Sequence, residues 1–343
     1  MTKAQISELK QLLGTPQNIV IVPHKNPDGD AMGSTLGLYH YLKMYHHNAV
    51  VIAPNDYPHF LKWLPNNDTV LIFENEQDQC NTLINNADLI CTLDFNALHR
   101  TGEMSEILEN SSSTKLMIDH HQQPDDYAKY SYSDVHMSST CEMVYNFIEL
   151  LGDVDKIDET IATCLYTGIM TDTGSFRFPS TTFKTHEVVG HLIKCGANST
   201  EIHNRIFDTN SYSRMQLLGR ALQNLKVIPE LHTAYISLSQ DELDTFNFKK
   251  GDTEGFVNYG LSLEGIVFAV IFIENQQEGI IKISLRSKGD FSVNEFSRSH
   301  FNGGGHTNAA GGRSETPLKD TIAKFISILP QYKAELSLAH NGQ

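Results

Sequence analysis

Lys115-Leu116-Met117-Ile118-Asp119-His120-His121 is a short apolar run that ends in one carboxylate and two imidazoles. It reads as a buried strand that delivers polar groups at its C-terminal end, the edge of an open α/β sheet at which ligands bind. Adjacent side chains on an extended backbone point to opposite faces, so His120 and His121 cannot share one task unless the chain turns there. One could bind a metal while the other faces a substrate. On this run alone, two solvent-exposed histidines at a strand end are the alternative.

Outward from this run the same arrangement recurs. Asn18 to Pro23 is a β-branched stretch followed by His24, Asp28 and Asp30, and then by a helical pattern from Thr35 to Met44. Oxygen and imidazole groups at this density suit Mn²⁺ or Mg²⁺ better than a structural zinc. A plain N-cap at Asp30 and a turn residue at Asp28 are the alternative reading. Ala49–Ala53 reads as a second strand, and short helices are expected near Phe60–Leu64 and Asp78–Asn86. Ala87–Asp94 is a third strand whose last residue is again a carboxylate, with Arg100 shortly after it. A helix over 103–109 leads into the opening run. This alternation predicts a doubly wound, mostly parallel sheet.

Beyond it, Ser139–Gly152 has the apolar spacing and glycine stop of a helix. Asp158–Gly174 is a mostly apolar helix with Asp172 near its C-terminal end, where a carboxylate opposes the helix dipole unless something positive compensates. A metal ion would. Four polar clusters, at 24–30, 94, 119–121 and 172, therefore each end an apolar element that would bring them to one rim of one sheet.

The remainder changes character. After helices over 182–195 and 200–207 and a helical connector over 211–225, strands are expected at 233–238, 265–274 and 279–287, the last two as a hairpin. A short helix over 293–300, a glycine loop at 301–306 and a final helix from Leu318 to Leu336 close the chain. The expected division is residues 1–208 as the larger domain, 209–226 as a helical linker and 227–343 as a smaller α/β domain, with a cleft between the two domains.

Composition bounds the function. The 343 residues are 40% hydrophobic and 20% charged, as in a soluble globular protein of about two domains. No apolar run is long enough to span a membrane, and the first ten residues form an amphipathic helical pattern, so a cytoplasmic location without a membrane partner is expected. Five dispersed cysteines without paired spacing indicate buried free thiols. A net charge of −15 argues against long duplex nucleic acid as a partner. A small anionic substrate stays compatible with that charge, because bound divalent cations reverse the local field.

Taken together, His24/Asp28/Asp30 followed by Gly33-Ser34, Asp94 at a strand end, Asp119-His120-His121, Asp172 in Thr-Asp-Thr-Gly and Gly303-Gly304-Gly305-His306 resemble the DHH/DHHA1 phosphoesterase superfamily. The motifs span nearly the whole chain. Its length and the segment Asp252–Gly265 resemble the NrnA-type enzymes of that superfamily, which act on very short oligoribonucleotides and on 3′-phosphoadenosine 5′-phosphate (pAp). Two positions depart from the family pattern: Asn302 stands where a further glycine is common, and Thr307 where a lysine often follows the histidine.

The resemblance implies a centre of two Mn²⁺, with Mg²⁺ or Co²⁺ as substitutes. His24, Asp28 and Asp94 would hold one ion; Asp30, Asp94, His120 and Asp172 the other. Two adjacent ions activate water and offset charge on an attacked phosphate. Asp119 would orient an imidazole, and His121 would contact the phosphate or protonate the leaving oxygen. Arg286, the loop Gly303–Gly305, His306 and Arg100 are the expected substrate contacts. The implied reaction is hydrolysis of short 5′-phosphorylated oligoribonucleotides to mononucleotides and of pAp to AMP. A cyclic- or linear-dinucleotide phosphodiesterase of the same superfamily is the rival, and a catalytically silent nucleotide-binding module the non-enzymatic one. A homodimer is compatible with the sequence.

Overall fold

In the computed structural model, which describes residues 1–342, the aliphatic runs of the first unit (Met1–Thr209) form the strands of one parallel sheet. They are β1 (Asn18–Val22), β2 (Asn48–Ala53), β3 (Leu71–Ile72), β4 (Leu89–Leu93), β5 (Thr114–Asp119) and β6 (Tyr130–Ser133), in the spatial order β3-β2-β1-β4-β5-β6. The chain winds from β1 out to β3, returns to the middle, and winds the other way from β4. The order thus reverses between β1 and β4, and such a reversal opens a crevice at the C-terminal ends of the two strands.

Both faces of the sheet are covered, which is why its strands read as near-continuous apolar runs. Ile19, Ile21, Leu89, Cys91 and Leu93 face a core shared with α1 (Lys3–Leu12), α2 (Gly29–Met44), α5 (Thr140–Leu151), α6 (Glu159–Asp172), α7 (Phe183–Lys194) and α8 (Ser199–Phe207). Val20, Val22 and Ile90 face a smaller core with α3 (Gln77–Asn85) and α4 (Ser105–Asn110). Helices α2 and α6 pack closely because small residues line their contact. A β-carbon on Gly33 would fall 2.6 Å from the Cys164 carbonyl oxygen, and one on Gly168 would fall 3.0 Å from the α-carbon of Asp30. This approach brings the start of α2 beside the end of α6.

The second unit, from Asn210 onward, holds a mixed sheet. Its strands are β7 (Lys226–Ile228), β8 (Thr233–Leu238), β9 (Phe268–Asn275), β10 (Ile280–Ser287), β11 (Gly304–Gly305) and β12 (Ala309–Ser314), ordered β11-β12-β10-β9-β8-β7. Only β8 and β9 run parallel, and β9–β10 is the expected hairpin. One face packs on α9 (Tyr212–Gln223), α10 (Gln240–Thr245) and α11 (Phe256–Leu261). The other packs on α12 (Val293–His300), α13 (Leu318–Ile328) and α14 (Lys333–Asn341) through a cluster of phenylalanines that includes Phe268, Phe272, Phe296 and Phe325.

Three elements differ from the sequence reading. The connector helix, α9, buries Leu217, Leu218 and Ala221 in the core of the second unit, because its apolar positions recur on one face. The single closing helix is two, separated by a 3₁₀ turn at Leu329–Tyr332. Pro330 lies in that turn, where its ring is tolerated and a continuous helix is not. Strand β6 has no apolar run to announce it; it is an edge strand of alternating Tyr and Ser. Among the described residues no helix is long and apolar enough to cross a membrane, and Cys80, Cys91, Cys141 and Cys164 are buried free thiols.

Candidate metal centre

The segment after β1 carries the first group. Asp28 caps α2, its Oδ1 accepting from the backbone amides of Asp30 (3.0 Å) and Ala31 (3.1 Å). Asp28 is therefore the N-cap and Asp30 lies inside the first turn, the reverse of the plain reading of the sequence. The second oxygen of Asp28 lies 4.0 Å from His24 Nε2. His24 Nε2 in turn is 3.5 Å from Oδ2 of Asp94, which directly follows β4. These three residues thus meet at the point where the strand order reverses. Asp94 has a left-handed backbone, φ +66°, which Asp tolerates better than bulkier residues and which turns its carboxylate into the crevice.

The second group is assembled from three other elements. His120 Nε2 lies 3.7 Å from Asp30 Oδ2, 3.6 Å from Asp94 Oδ1 and 3.6 Å from Oδ2 of Asp172, the last residue of α6. The close approach of α2 and α6 places Asp30 next to Asp172. Within the trio His24, Asp28 and Asp94, and within the trio Asp30, His120 and Asp172, one ligand atom per residue can be chosen so that all lie within 4.8 Å of one another.

Strand β5 ends at Asp119, so His120 and His121 fall beyond the pleat. Their rings stand edge to face, centroids 5.1 Å apart, and both are buried. The expectation of opposite faces fails because the chain turns there. Asp119 holds His121 rather than His120: its Oδ1 accepts from His121 Nδ1 at 2.7 Å and its Oδ2 from the His121 amide at 3.1 Å. His120 Nδ1 donates instead to the carbonyl oxygen of Met137, 3.2 Å away.

The electrostatics of the cluster express a shortage of positive charge. Burial, together with the charges of Asp94 and Asp172, pushes the Asp30 carboxyl well above the usual carboxylate range. Burial also opposes charge on Asp94, yet contacts with His120, His24 and His121 outweigh it and hold Asp94 well below that range. For His120 the same contest ends upward: burial is outweighed by Asp94, Asp172 and Asp30. Without a cation, then, the cluster favours protons on His24, His120 and Asp30. A buried set of carboxylates that must borrow protons in this way fits divalent cations, whose charge would replace those protons. The oxygen-rich donor set with two imidazole nitrogens and no thiolate suits a hard or borderline ion.

Burial pushes His121 well below the ordinary imidazole value, and Arg100 adds to the effect; Asp119 is pushed up to about 6 by burial and by Asp94. Arg100 is half-buried, and its charge reaches His24, Asp119 and His121. Of the residues expected in the second unit, Arg286 lies on β10 and donates through Nη1 to the Leu285 carbonyl oxygen. The glycine stretch is the short strand β11, paired with β12, rather than an open loop. Gly303 and Gly305 are demanded by packing: a β-carbon would fall 1.9 Å from the Gly311 oxygen and 2.5 Å from the Ala309 oxygen respectively. The amide of Gly305 donates to Asn294 Oδ1 and that of His306 to the Ala309 oxygen. Only Gly304 has no internal reason to be glycine. Asn302, where a glycine is common in the family, has φ +47°, a backbone that asparagine tolerates.

Sequence reasoning missed a third contributor. The first amides of α5 reach Asp30: Thr140 N lies 2.6 Å from Oδ2 and Cys141 N 2.9 Å from Oδ1, while Thr140 Oγ1 donates to Asp94 Oδ1 at 3.0 Å. The one available signal was the capping pattern at Ser139, which marks a helix start without saying what it faces.

Comparison with known proteins agrees with this geometry. Residues 18–169 match the DHH family, N-terminal domain, and residues 231–335 match the DHHA1 domain. The bifunctional oligoribonuclease and PAP phosphatase NrnA of Thermus thermophilus is 32% identical over 299 residues, covering 85% of this chain and 83% of that protein. Its Bacillus subtilis counterpart is 30% identical over 307 residues, covering 89% and 92%. The crystal structure of an exopolyphosphatase-related protein from Bacteroides fragilis is 40% identical, with a TM-score of 0.93 over 98% of this chain and 100% of that one. With both of its domains matched and relatives of this similarity along most of its length, the chain belongs to the DHH family and carries a C-terminal DHHA1 domain.

Proposed function

We propose that this protein is a Mn²⁺-dependent phosphoesterase that hydrolyses short 5′-phosphorylated oligoribonucleotides to mononucleotides and dephosphorylates pAp to AMP. The observation that supports it most is the pair of ligand groups at the reversal of strand order, brought together where Asp94 of one lies 3.6 Å from His120 of the other. The names of the relatives in Thermus thermophilus and Bacillus subtilis supply the substrate class. Residues 1–208 form the metal-holding domain in this reading and 227–343 the substrate-binding domain, with the helix of the connecting segment 209–226 packed on the latter.

His24, Asp28 and Asp94 would hold one ion, and Asp30, Asp94, His120 and Asp172 the other. Two Mn²⁺ bound there would supply an activated water and offset the charge on the attacked phosphate. The protein's own groups do the rest. His120 is held by the Met137 carbonyl with Nδ1 protonated, so Nε2 presents its lone pair to the centre. Asp119 holds His121 by Nδ1 and thereby aims Nε2 away from itself. Burial and Arg100 disfavour charge on His121; a substrate phosphate beside it would oppose them and favour the imidazolium, which could then protonate the leaving oxygen. Arg100, Arg286, Gly304 and His306 are assigned to the substrate's phosphates, with Gly303 and Gly305 shaping the strand that presents them.

The test is a substrate panel with Mn²⁺: pAp, a 5′-phosphorylated RNA dimer, an RNA 20-mer, a cyclic dinucleotide, pyrophosphate and polyphosphate. Turnover of pAp and the dimer should exceed the others. Preference for the 20-mer, pyrophosphate or polyphosphate would overturn the assignment. Arg286→Ala and His306→Ala should mainly raise KM for the dimer, by about tenfold for a lost charge-assisted contact; unchanged KM and kcat would remove them from the site.

A further inference from the structure

We propose that the segment Met137–Cys141 is a positioning collar for the metal centre, with Thr140 as its working side chain. The inference rests on the reading of the Asp94 cluster as that centre. Three of the five residues of this segment at the entry to α5 touch three of its six assigned ligands. Met137 accepts from His120 Nδ1 (3.2 Å), Thr140 donates from Oγ1 to Asp94 Oδ1 (3.0 Å), and the amides of Thr140 and Cys141 donate to the two oxygens of Asp30 (2.6 and 2.9 Å). None of Met137, Thr140 and Cys141 is itself an assigned ligand.

Each contact has a distinct consequence. A carboxylate whose two oxygens are both gripped by successive amides of one helix start cannot rotate about its Cβ–Cγ bond. The plane of Asp30, and with it the direction of the remaining lone pairs, is thus fixed. The same helix start places its partial positive charge beside a buried acid, where negative charge is otherwise costly. Thr140 commits one lone pair of Asp94 Oδ1, so that the carboxylate keeps Oδ2 toward His24. The Met137 carbonyl selects the imidazole tautomer of His120 that offers Nε2.

The collar is itself pinned from behind. Ser139 Oγ accepts from the Glu142 amide at 3.0 Å, the capping bond of α5. Glu142, 1% exposed, accepts through Oε2 from Ser138 Oγ and, at 2.9 Å, from Thr185 Oγ1 of α7. A buried carboxylate outside the cluster thus ties the collar to a neighbouring helix. It makes no contact with the cluster and needs none for this role.

The test is Mn²⁺ binding by the full-length protein without substrate, followed by the six-line paramagnetic resonance signal of the free ion. Melting of the metal-free form serves as the check on folding. Thr140→Val should weaken binding by about ten- to hundredfold, the range for loss of a group that orients a ligand. Thr140→Ser should restore it to within about threefold of wild type, because only the hydroxyl matters. Wild-type binding by Thr140→Val, or a Thr140→Ser variant as weak as the valine one, would overturn the collar. Should the valine variant not fold, Glu142→Gln decides: weakening of about threefold or more supports the collar, and no change overturns it. A wild-type protein that binds no Mn²⁺ would overturn the metal reading and the collar together. Normal wild-type binding with an indifferent Thr140 would overturn the collar alone.

Discussion

The two edges of the first sheet use similar residues and arrive at opposite electrostatic states. At the edge where β1, β2, β4 and β5 begin, each polar side chain closes off something nearby. Asp88 accepts from the Asn18 amide at 2.8 Å, Asn48 pairs with Asn18, His47 accepts from the Gln17 amide, and Lys115 Nζ donates to the Ser111 carbonyl at 2.7 Å. At the edge where the strands end, acids face acids and imidazoles. Asp30, Asp94 and Asp119 are at most 3% exposed. The first edge is largely satisfied within the protein, His47 Nε2 being a buried atom there that lacks a partner, whereas the second fits cations. A dense polar cluster is thus informative by whom it faces rather than by its composition.

Breaking the second edge should have the larger effects. Asp94→Ala removes a member of the first trio that also lies 3.6 Å from His120 of the second, and should reduce turnover of pAp by about a thousandfold or more, the size of several kcal/mol of lost charge stabilisation. Mn²⁺ binding should fail with it, and retained binding at normal stoichiometry would show that Asp94 is not shared. His121→Ala should keep its Mn²⁺ and lose turnover by about a hundred- to ten-thousandfold. Undiminished turnover would place His121 with the passive residues of the opposite edge.

The pH response sharpens the contrast further. Because the Asp119 carboxyl is raised from 3.8 to about 6, the folded protein holds that proton more tightly than the unfolded chain does. Its contribution to stability is full below about pH 4 and is lost as pH rises through about 6. Melting in chelator should therefore fall over that window, and Asp119→Asn should reduce the fall; an identical profile in the variant would refute this account. The smallest effect belongs to the first edge. Asp88→Ala should cost about 1 kcal/mol in denaturant unfolding and leave kcat unchanged. A loss of turnover there would erase the distinction between the edges.

Much of this was legible in the sequence, for a reason visible in the strands. Apolar runs that stop abruptly at Asp94 and Asp119, or give way to His24 and Asp28, announce both a buried strand and what it delivers. Asp172 was legible because it sits at the wrong end of a helix. Part of what escaped notice has no side-chain signature. The amides of Thr140 and Cys141 that hold Asp30 are backbone groups, and any residue could supply them. The pairing of Asp119 with His121 depended on where β5 ends, and a one-residue difference changes which imidazole it meets. Pro330 marked the break between α13 and α14 plainly enough; the apolar spacing on either side of it simply reads as continuous.

Asp94 belongs to the trio with His24 and Asp28 and also lies 3.6 Å from the His120 nitrogen that faces Asp30 and Asp172. In the proposed two-ion reading, two cation positions joined through one carboxylate would not be independent binding sites. Whatever factor the first ion imposes on the affinity of the second, the second imposes on the first, as thermodynamic linkage requires. Repulsion between the ions pulls that factor one way, and the relief each brings to the crowded acids pulls it the other. The shape of a metal titration, more than its midpoint, therefore carries the imprint of this single residue.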